Sequence, residues 1–227
     1  MNFNRLILVF LVLLAVECWA AALDITALEY FSKPLLMVTL LAYFLSNSTN
    51  TDPARSFIAA ALCFSWLGDV LLLVEKTYSF LFIFGLTAFL AAHAAYVMFF
   101  WRIRKRNISK PGLRKFPVVA VFGYMALLFA VLLPNLGFLW LPVMLYSIVI
   151  SLMLITCVHA FNFEEQAFGF ICLIGTILFV VSDSVLAVNR FVTPIKLGPA
   201  LVMLTYSLGQ LLIAEGAIRN LRRLGPN

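Results

Sequence analysis

Residues 56–74 read Ser-Phe-Ile-Ala-Ala-Ala-Leu-Cys-Phe-Ser-Trp-Leu-Gly-Asp-Val-Leu-Leu-Leu-Val, and Asp69 is their one charged side chain. A run of this length, wound as a helix at ~1.5 Å per residue, crosses the ~30 Å hydrocarbon core of a bilayer. A carboxylate inside such a span costs a few kcal/mol or more, so it points to a function. Residues 178–188, Leu-Phe-Val-Val-Ser-Asp-Ser-Val-Leu-Ala-Val, repeat the setting around Asp183. Two aspartates in two apolar spans are the strongest functional signal in the chain.

The rest of the chain agrees with a membrane reading. Of its 227 residues, 64% are hydrophobic and 11% charged. A soluble domain of ordinary composition is only about 45–50% apolar. The apolar runs are continuous rather than alternating, which argues for helices and against a β-barrel. Eight spans follow, at residues 6–22, 31–45, 56–74, 80–101, 116–134, 139–160, 168–189 and 197–218. The expectation is an all-α bundle of eight transmembrane helices forming one integral membrane domain over 1–227. The second span is short and has to stand upright or thin the bilayer. Pro34 suits its first turn, and Lys33 can snorkel to the interface. The first span shares features with a cleavable leader (Arg5, an apolar run, Ala20-Ala21-Ala22), but its run is long and Glu17 interrupts it, so it reads as retained.

Charge sets the expected orientation. Arg102, Arg104, Lys105, Arg106, Lys110, Arg114 and Lys115 cluster between spans four and five, and Arg5, Arg55, Arg219, Arg222 and Arg223 fall on the same side. The other side has Lys33, Lys76, Arg190 and Lys196. Both termini are therefore expected in the cytoplasm, and the protein in a bacterial inner membrane. The basic loop reads as a topology signal and a contact for anionic lipid rather than for nucleic acid. Asp69 and Asp183 then fall at one depth, roughly 8–9 Å inside the outer ends of parallel helices. Aligning them pairs Gly68 with Ser182, Leu72 with Leu186, Val74 with Val188 and Lys76 with Arg190. A parallel internal repeat and shared helix-end chemistry both explain the echo, and a repeat axis along the membrane normal could bring the carboxylates face to face.

Other polar residues share helix faces at i, i+4 spacing: Gly85, Phe89 and His93, with Tyr96 beyond them, and Tyr206 with Gln210. Each reads either as interhelical glue or as cavity lining. His159, Glu17 and Glu215 lie near span ends and read as interfacial; Trp19, Trp101 and Trp140 read as interfacial belts. Cys18, Cys63, Cys157 and Cys172 are scattered singly and read as small buried hydrophobes. With two histidines at different depths a metal site is hard to build, and no cofactor motif, nucleophile elbow or phosphate loop occurs. What remains is a carboxylate pair. Desolvation and a neighbouring carboxylate both favour the protonated form of a carboxyl group, so a close pair can offer one acid and one base. Such a pair cleaves acid-labile bonds through oxocarbenium-like transition states, and in a bilayer the substrate is a lipid. A proton- or cation-coupled transporter and a non-enzymatic lipid-binding protein are the competing readings.

The chain resembles the YhhN family of membrane proteins, which includes the lysoplasmalogenases. The likeness lies at Lys33-Pro34; at Phe64, Gly68-Asp69 and Leu72; at Gly85, Phe89, His93 and Tyr96; at Gly175, Phe179, Ser182-Asp183, Asn189 and Phe191; and at Tyr206, Gln210 and Ala214. The resemblance implies hydrolysis of the vinyl ether bond of lysoplasmalogens to a fatty aldehyde and glycerophosphoethanolamine or glycerophosphocholine. It implies catalytic roles for Asp69 and Asp183. His93, Tyr96, Tyr206 and Gln210 would then shape the cavity or hold water, Lys33 and Arg190 would hold the lipid phosphate, and Asn189 would bond near the second aspartate. The implied partners are a lysophospholipid substrate and the bilayer itself.

Overall fold

Each apolar run forms a helix: α1 (Arg5–Ala22), α2 (Thr26–Asn47), α3 (Ala54–Val74), α4 (Leu81–Arg106), α5 (Lys115–Leu132), α6 (Trp140–Ala160), α7 (Ala167–Phe191) and α8 (Gly198–Leu224). The structure is a computed structural model and describes residues 5–48, 52–75, 78, 80–107, 112 and 114–224. Lys76 and Lys110, which entered the charge count, lie outside them. Among the described residues there is no strand, and all eight helices are long and apolar enough to cross a membrane. Two short 3₁₀ turns, Leu133–Asn135 and Gly137–Leu139, join α5 to α6.

The second helix corrects two expectations. It has 22 residues and starts at Thr26, so it needs no thinned bilayer. Pro34 lies inside it, past the second turn, rather than in the first turn. The helix begins early because α1 and α2 form a tight hairpin. Asp24 turns the chain at φ 53°, a conformation short polar side chains tolerate. Glu29, which interrupts the apolar run in sequence, is buried by packing.

The bundle is built around α8, which packs along α7 and also touches α1, α2 and α3. Its small residues allow this. A Cβ on Gly175 would stand 2.7 Å from the Gly209 carbonyl oxygen, and one on Gly209 would stand 2.8 Å from the Gly175 carbonyl oxygen. Only glycine at both positions lets the two backbones meet, the packing mode favoured where lipid supplies no hydrophobic drive. The other extensive pair is α3 with α4. The aromatic ring of Phe89 lies on the backbone of Gly68, where a Cβ would come within 2.6 Å of it. The two aspartate-bearing helices therefore each have one closely packed partner. By contrast α5 is peripheral: Met125 and Leu132 are its buried residues, and it touches α6 and α7.

Trp19, Trp101 and Trp140 are exposed near helix ends. The cysteines divide. Cys157 and Cys172 are buried, whereas Cys18 is half-buried and Cys63 is exposed on the outward face of α3, which corrects their uniform reading as buried hydrophobes.

Candidate functional site

Asp69 and Asp183 each hold a phenol. Asp69 is 2% exposed, and its Oδ2 accepts a 2.8 Å hydrogen bond from the Tyr206 hydroxyl on α8. The Asp183 side chain is 14% exposed, and its Oδ2 accepts a 2.6 Å hydrogen bond from the Tyr146 hydroxyl on α6. A charged or charge-sharing acceptor makes these the strong kind of hydrogen bond. Phe179 joins the two halves: its ring meets Tyr206 edge-on at 5.3 Å and His93 at 4.6 Å.

His93 stands beside Asp183. Its Nδ1 donates to the Phe89 carbonyl at 2.6 Å, one turn back on α4. That bond leaves Nε2 as the acceptor nitrogen of a neutral ring. Nε2 is buried, makes no hydrogen bond in this geometry, and lies 3.4 Å from Asp183 Oδ2. Behind Tyr206 a second polar chain runs deeper. Gln210, one turn along α8 from Tyr206, accepts from the Tyr96 hydroxyl and donates to Ser65 Oγ at 2.8 Å. These groups are fully buried and mutually satisfied, so they tie α3, α4 and α8 together.

An apolar cavity opens on Asp183. Phe89, Met125, Leu132, Tyr146, Val180 and Asp183 line it, and Arg190 and Phe191 stand at one end. Its volume is about 60 Å³, ample for water, which needs roughly 10–15 Å³ on this measure. One wall is α5, the least embedded helix. Asp69 is set back from the cavity. Phe89 lines the cavity, packs on Gly68 and meets Tyr206 edge-on at 5.8 Å, and so screens the Asp69–Tyr206 pair.

The remaining expected site residues separate. Arg190 lies at the cavity end, where it pairs with Glu75 at 2.6 Å and stacks 4.9 Å above the ring of Phe82. Lys33 is half-buried on α2 and is not part of the cavity lining. Asn189 turns away from Asp183: its Oδ1 accepts from the Ile195 N–H at 2.7 Å and braces the α7–α8 connection.

Two polar residues read as interfacial are covered by protein. Glu17 is 1% exposed and accepts a 2.6 Å bond from Ser32 on α2, because the α1–α2 hairpin covers it. His159 is buried under the α4–α5 connection, where Nε2 accepts from the Arg114 N–H at 3.1 Å. Glu215 accepts from Tyr43 at 2.6 Å and from Arg219 at 2.7 Å. Part of the basic loop is spent on the protein itself, since Arg106 pairs with Asp52 and Arg104 donates to the His159 carbonyl.

Sequence reasoning missed Tyr146 and Glu75. Tyr146 carried a signal, a hydroxyl in the middle of an otherwise apolar span with Ser147 and Ser151 close by. Glu75 carried none, since it reads as the ordinary polar end of a span.

The profile of the YhhN family matches residues 28–217. The lysoplasmalogenase TMEM86A of Bos taurus is 30% identical over 179 residues, covering 75% of this chain and 68% of its own. The human lysoplasmalogenase TMEM86B is 30% identical over 185 residues, covering 82% of this chain and 74% of its own. A lysoplasmalogenase of Mycobacterium tuberculosis is 28% identical over 164 residues, covering 71% and 60%. No solved structure matches the chain.

Proposed function

The chain belongs to the YhhN family, and from that premise we propose that it hydrolyses the vinyl ether bond of lysoplasmalogens, with Asp183 as the acid that also takes the proton back and Asp69 as the charge that favours the cation. The observation that carries the reading is a carboxyl group with its own phenol, Asp183 with Tyr146, on the wall of an apolar cavity inside a membrane bundle. The names of relatives from mammals and mycobacteria support the same chemistry.

The mechanism follows from the bond. Asp183, in its acid form, gives a proton to the β-carbon of the vinyl ether. The double-bond electrons form the new C–H bond, and an oxygen lone pair gives an oxocarbenium ion. Water adds to the oxygen-bearing carbon and returns a proton to the carboxylate. The hemiacetal then collapses: its hydroxyl proton leaves, and the bond to the glycerol oxygen breaks as that oxygen takes up a proton. One water is consumed, and the products are a fatty aldehyde and a glycerophospho-alcohol. General acid catalysis by a positioned group contributes about 10²–10⁴-fold. Tyr146 stabilises the carboxylate that appears as Asp183 loses its proton, and His93 packs against the same carboxyl. Asp69, with Tyr206, supplies negative charge one layer behind the cavity, which favours the cation. Phe179 and Phe89, edge-on to the Tyr206 ring, hold it in place.

The experiment is to run the reaction in D₂O and examine the aldehyde by mass spectrometry. Protonation at carbon places one solvent deuterium on carbon 2 of the aldehyde. Aldehyde formed without that deuterium would rule out this route, and fatty acid released from an ester lysolipid at the same rate would rule out vinyl ether specificity.

A further inference from the structure

We infer that His93 is a positioning residue for the proton of Asp183: its Nε2 accepts the carboxyl O–H and keeps one proton on the pair between turnovers. The inference deepens the acid role proposed for Asp183 and rests on it. His93 is 1% exposed. Its Nδ1 lies 2.6 Å from the Phe89 carbonyl oxygen, which can only accept, so the proton of the neutral ring is on Nδ1. Nε2 then presents a lone pair. It is buried, has no hydrogen-bond partner, and lies 3.4 Å from Asp183 Oδ2.

The hydroxyls that converge on this layer are already committed. Tyr146 of α6 donates to Asp183, Tyr206 of α8 to Asp69 on α3, and Tyr96 of α4 to Gln210. Ser182 and Ser184, on either side of Asp183 in sequence, donate to the carbonyls of Val202 and Val180. Tyr124 of α5 donates to Ser184, and Arg190, two turns along α7, is paired with Glu75. The rings of Phe179 and Tyr146 hold the imidazole edge-on, with centroids 4.6 and 5.2 Å away, so it stays aimed at Asp183.

An ionised Asp183 would set two buried acceptors against each other. A proton on Oδ2 turns the same contact into an O–H···N hydrogen bond, and Oδ2 keeps a lone pair for the Tyr146 hydroxyl. Turning the carboxyl about Cβ–Cγ, a soft torsion, closes the remaining gap. Moving the proton onto Nε2 would instead leave an imidazolium and a carboxylate inside an apolar bundle, a costlier arrangement than the neutral pair. In the reaction the O–H swings from Nε2 to the vinyl β-carbon and is spent there. The proton released as water adds returns to Oδ2, and Nε2 takes up the bond again. His93 is not part of the cavity lining, so it acts through Asp183.

The test follows the Asp183 carboxyl over pH by difference infrared spectroscopy of the purified full chain, with Asp183→Asn to assign the acid C=O band. The wild type should show that band at neutral pH. His93→Phe and His93→Leu each remove the acceptor and fill the space. Both should lose the band at a pH about half to one unit lower, roughly a three- to tenfold change in the proton-loss constant. The pH above which kcat for the alkenyl lysolipid falls should drop by the same amount. The low-pH kcat, the KM and the Kd of a non-cleavable alkyl ether analogue should stay within a few-fold. No acid band in the wild type at neutral pH would overturn the inference. So would a band lost at the same pH in the variants, which makes His93 a packing residue, or at a higher pH, which makes it a cation beside a carboxylate. The expected band shift with no aldehyde from the wild type would leave the proton pair standing and remove the hydrolase reading.

Discussion

The substitution Tyr146→Phe removes one oxygen atom and nothing else. In the native protein that hydroxyl donates a 2.6 Å hydrogen bond to Asp183 Oδ2. The bond matters little while Asp183 keeps its proton, and most when the proton has moved to carbon and the carboxylate carries the charge. A hydrogen bond to a charged group contributes about 1.5–3 kcal/mol, and because this one strengthens along the reaction its loss should appear in kcat. That corresponds to a fall of about 10–150-fold, with KM changed by no more than about threefold. The ring of Phe keeps the contact with His93, 5.2 Å between centroids. Thermal unfolding in detergent separates a folding defect from a catalytic one. The assay is steady-state aldehyde release from lysoplasmenylethanolamine, with Tyr96→Phe, which cuts a bond remote from the cavity, as the comparison. An unchanged kcat in Tyr146→Phe, or a larger loss in Tyr96→Phe, would refute the role given to this phenol.

Three further outcomes follow from the fold. Gly209→Val forces a side chain into the Gly175 carbonyl, so it should destabilise the α7–α8 pair by about 1–3 kcal/mol or more, seen as a lowered Tm and reduced yield. Asn189→Ala frees the Ile195 N–H and should lower Tm by about 2–4 °C for a loss near 1 kcal/mol; an unchanged Tm would show that Asn189 does not brace the connection. Reporter fusions at each end of the chain should both report the cytoplasm, as the excess of Lys and Arg around the α4–α5 connection requires. Both ends reporting the outer side would overturn the orientation, and a split result would overturn the count of eight spans.

The helices were legible in sequence because a bilayer makes one demand on a spanning segment: length and apolarity. That demand is met run by run and needs no knowledge of neighbours. It fails at α2, where Glu29 and Lys33 broke the apolar pattern although packing buries the first and half-buries the second. The polar faces on α4 and α8 were also legible, since i, i+4 spacing places Phe89 with His93 and Tyr206 with Gln210 before any partner is known. Partnership itself was not. Tyr206 belongs to Asp69 and Tyr146 to Asp183 only because α8 crosses α3 and α6 crosses α7 at those heights. Lys33 and Arg190 look alike as basic residues at span ends, yet only Arg190 lines the Asp183 cavity. Glu17 reads as a span-end acid and is buried because its helix is folded back against α2.

The claim at the centre of this account is that Asp183 supplies the proton that breaks a vinyl ether. Aldehyde release by purified protein bearing Asp183→Asn, beside the wild type and Asp69→Asn, tests it most directly. Wild-type protein should release aldehyde from the alkenyl lysolipid. Asp183→Asn should lose about 10²–10⁴-fold of that rate, the range of a general acid, while still binding the alkyl ether analogue. Asp69→Asn should be impaired with its binding likewise intact. Aldehyde release at the wild-type rate in Asp183→Asn, or none from the wild type, would contradict it.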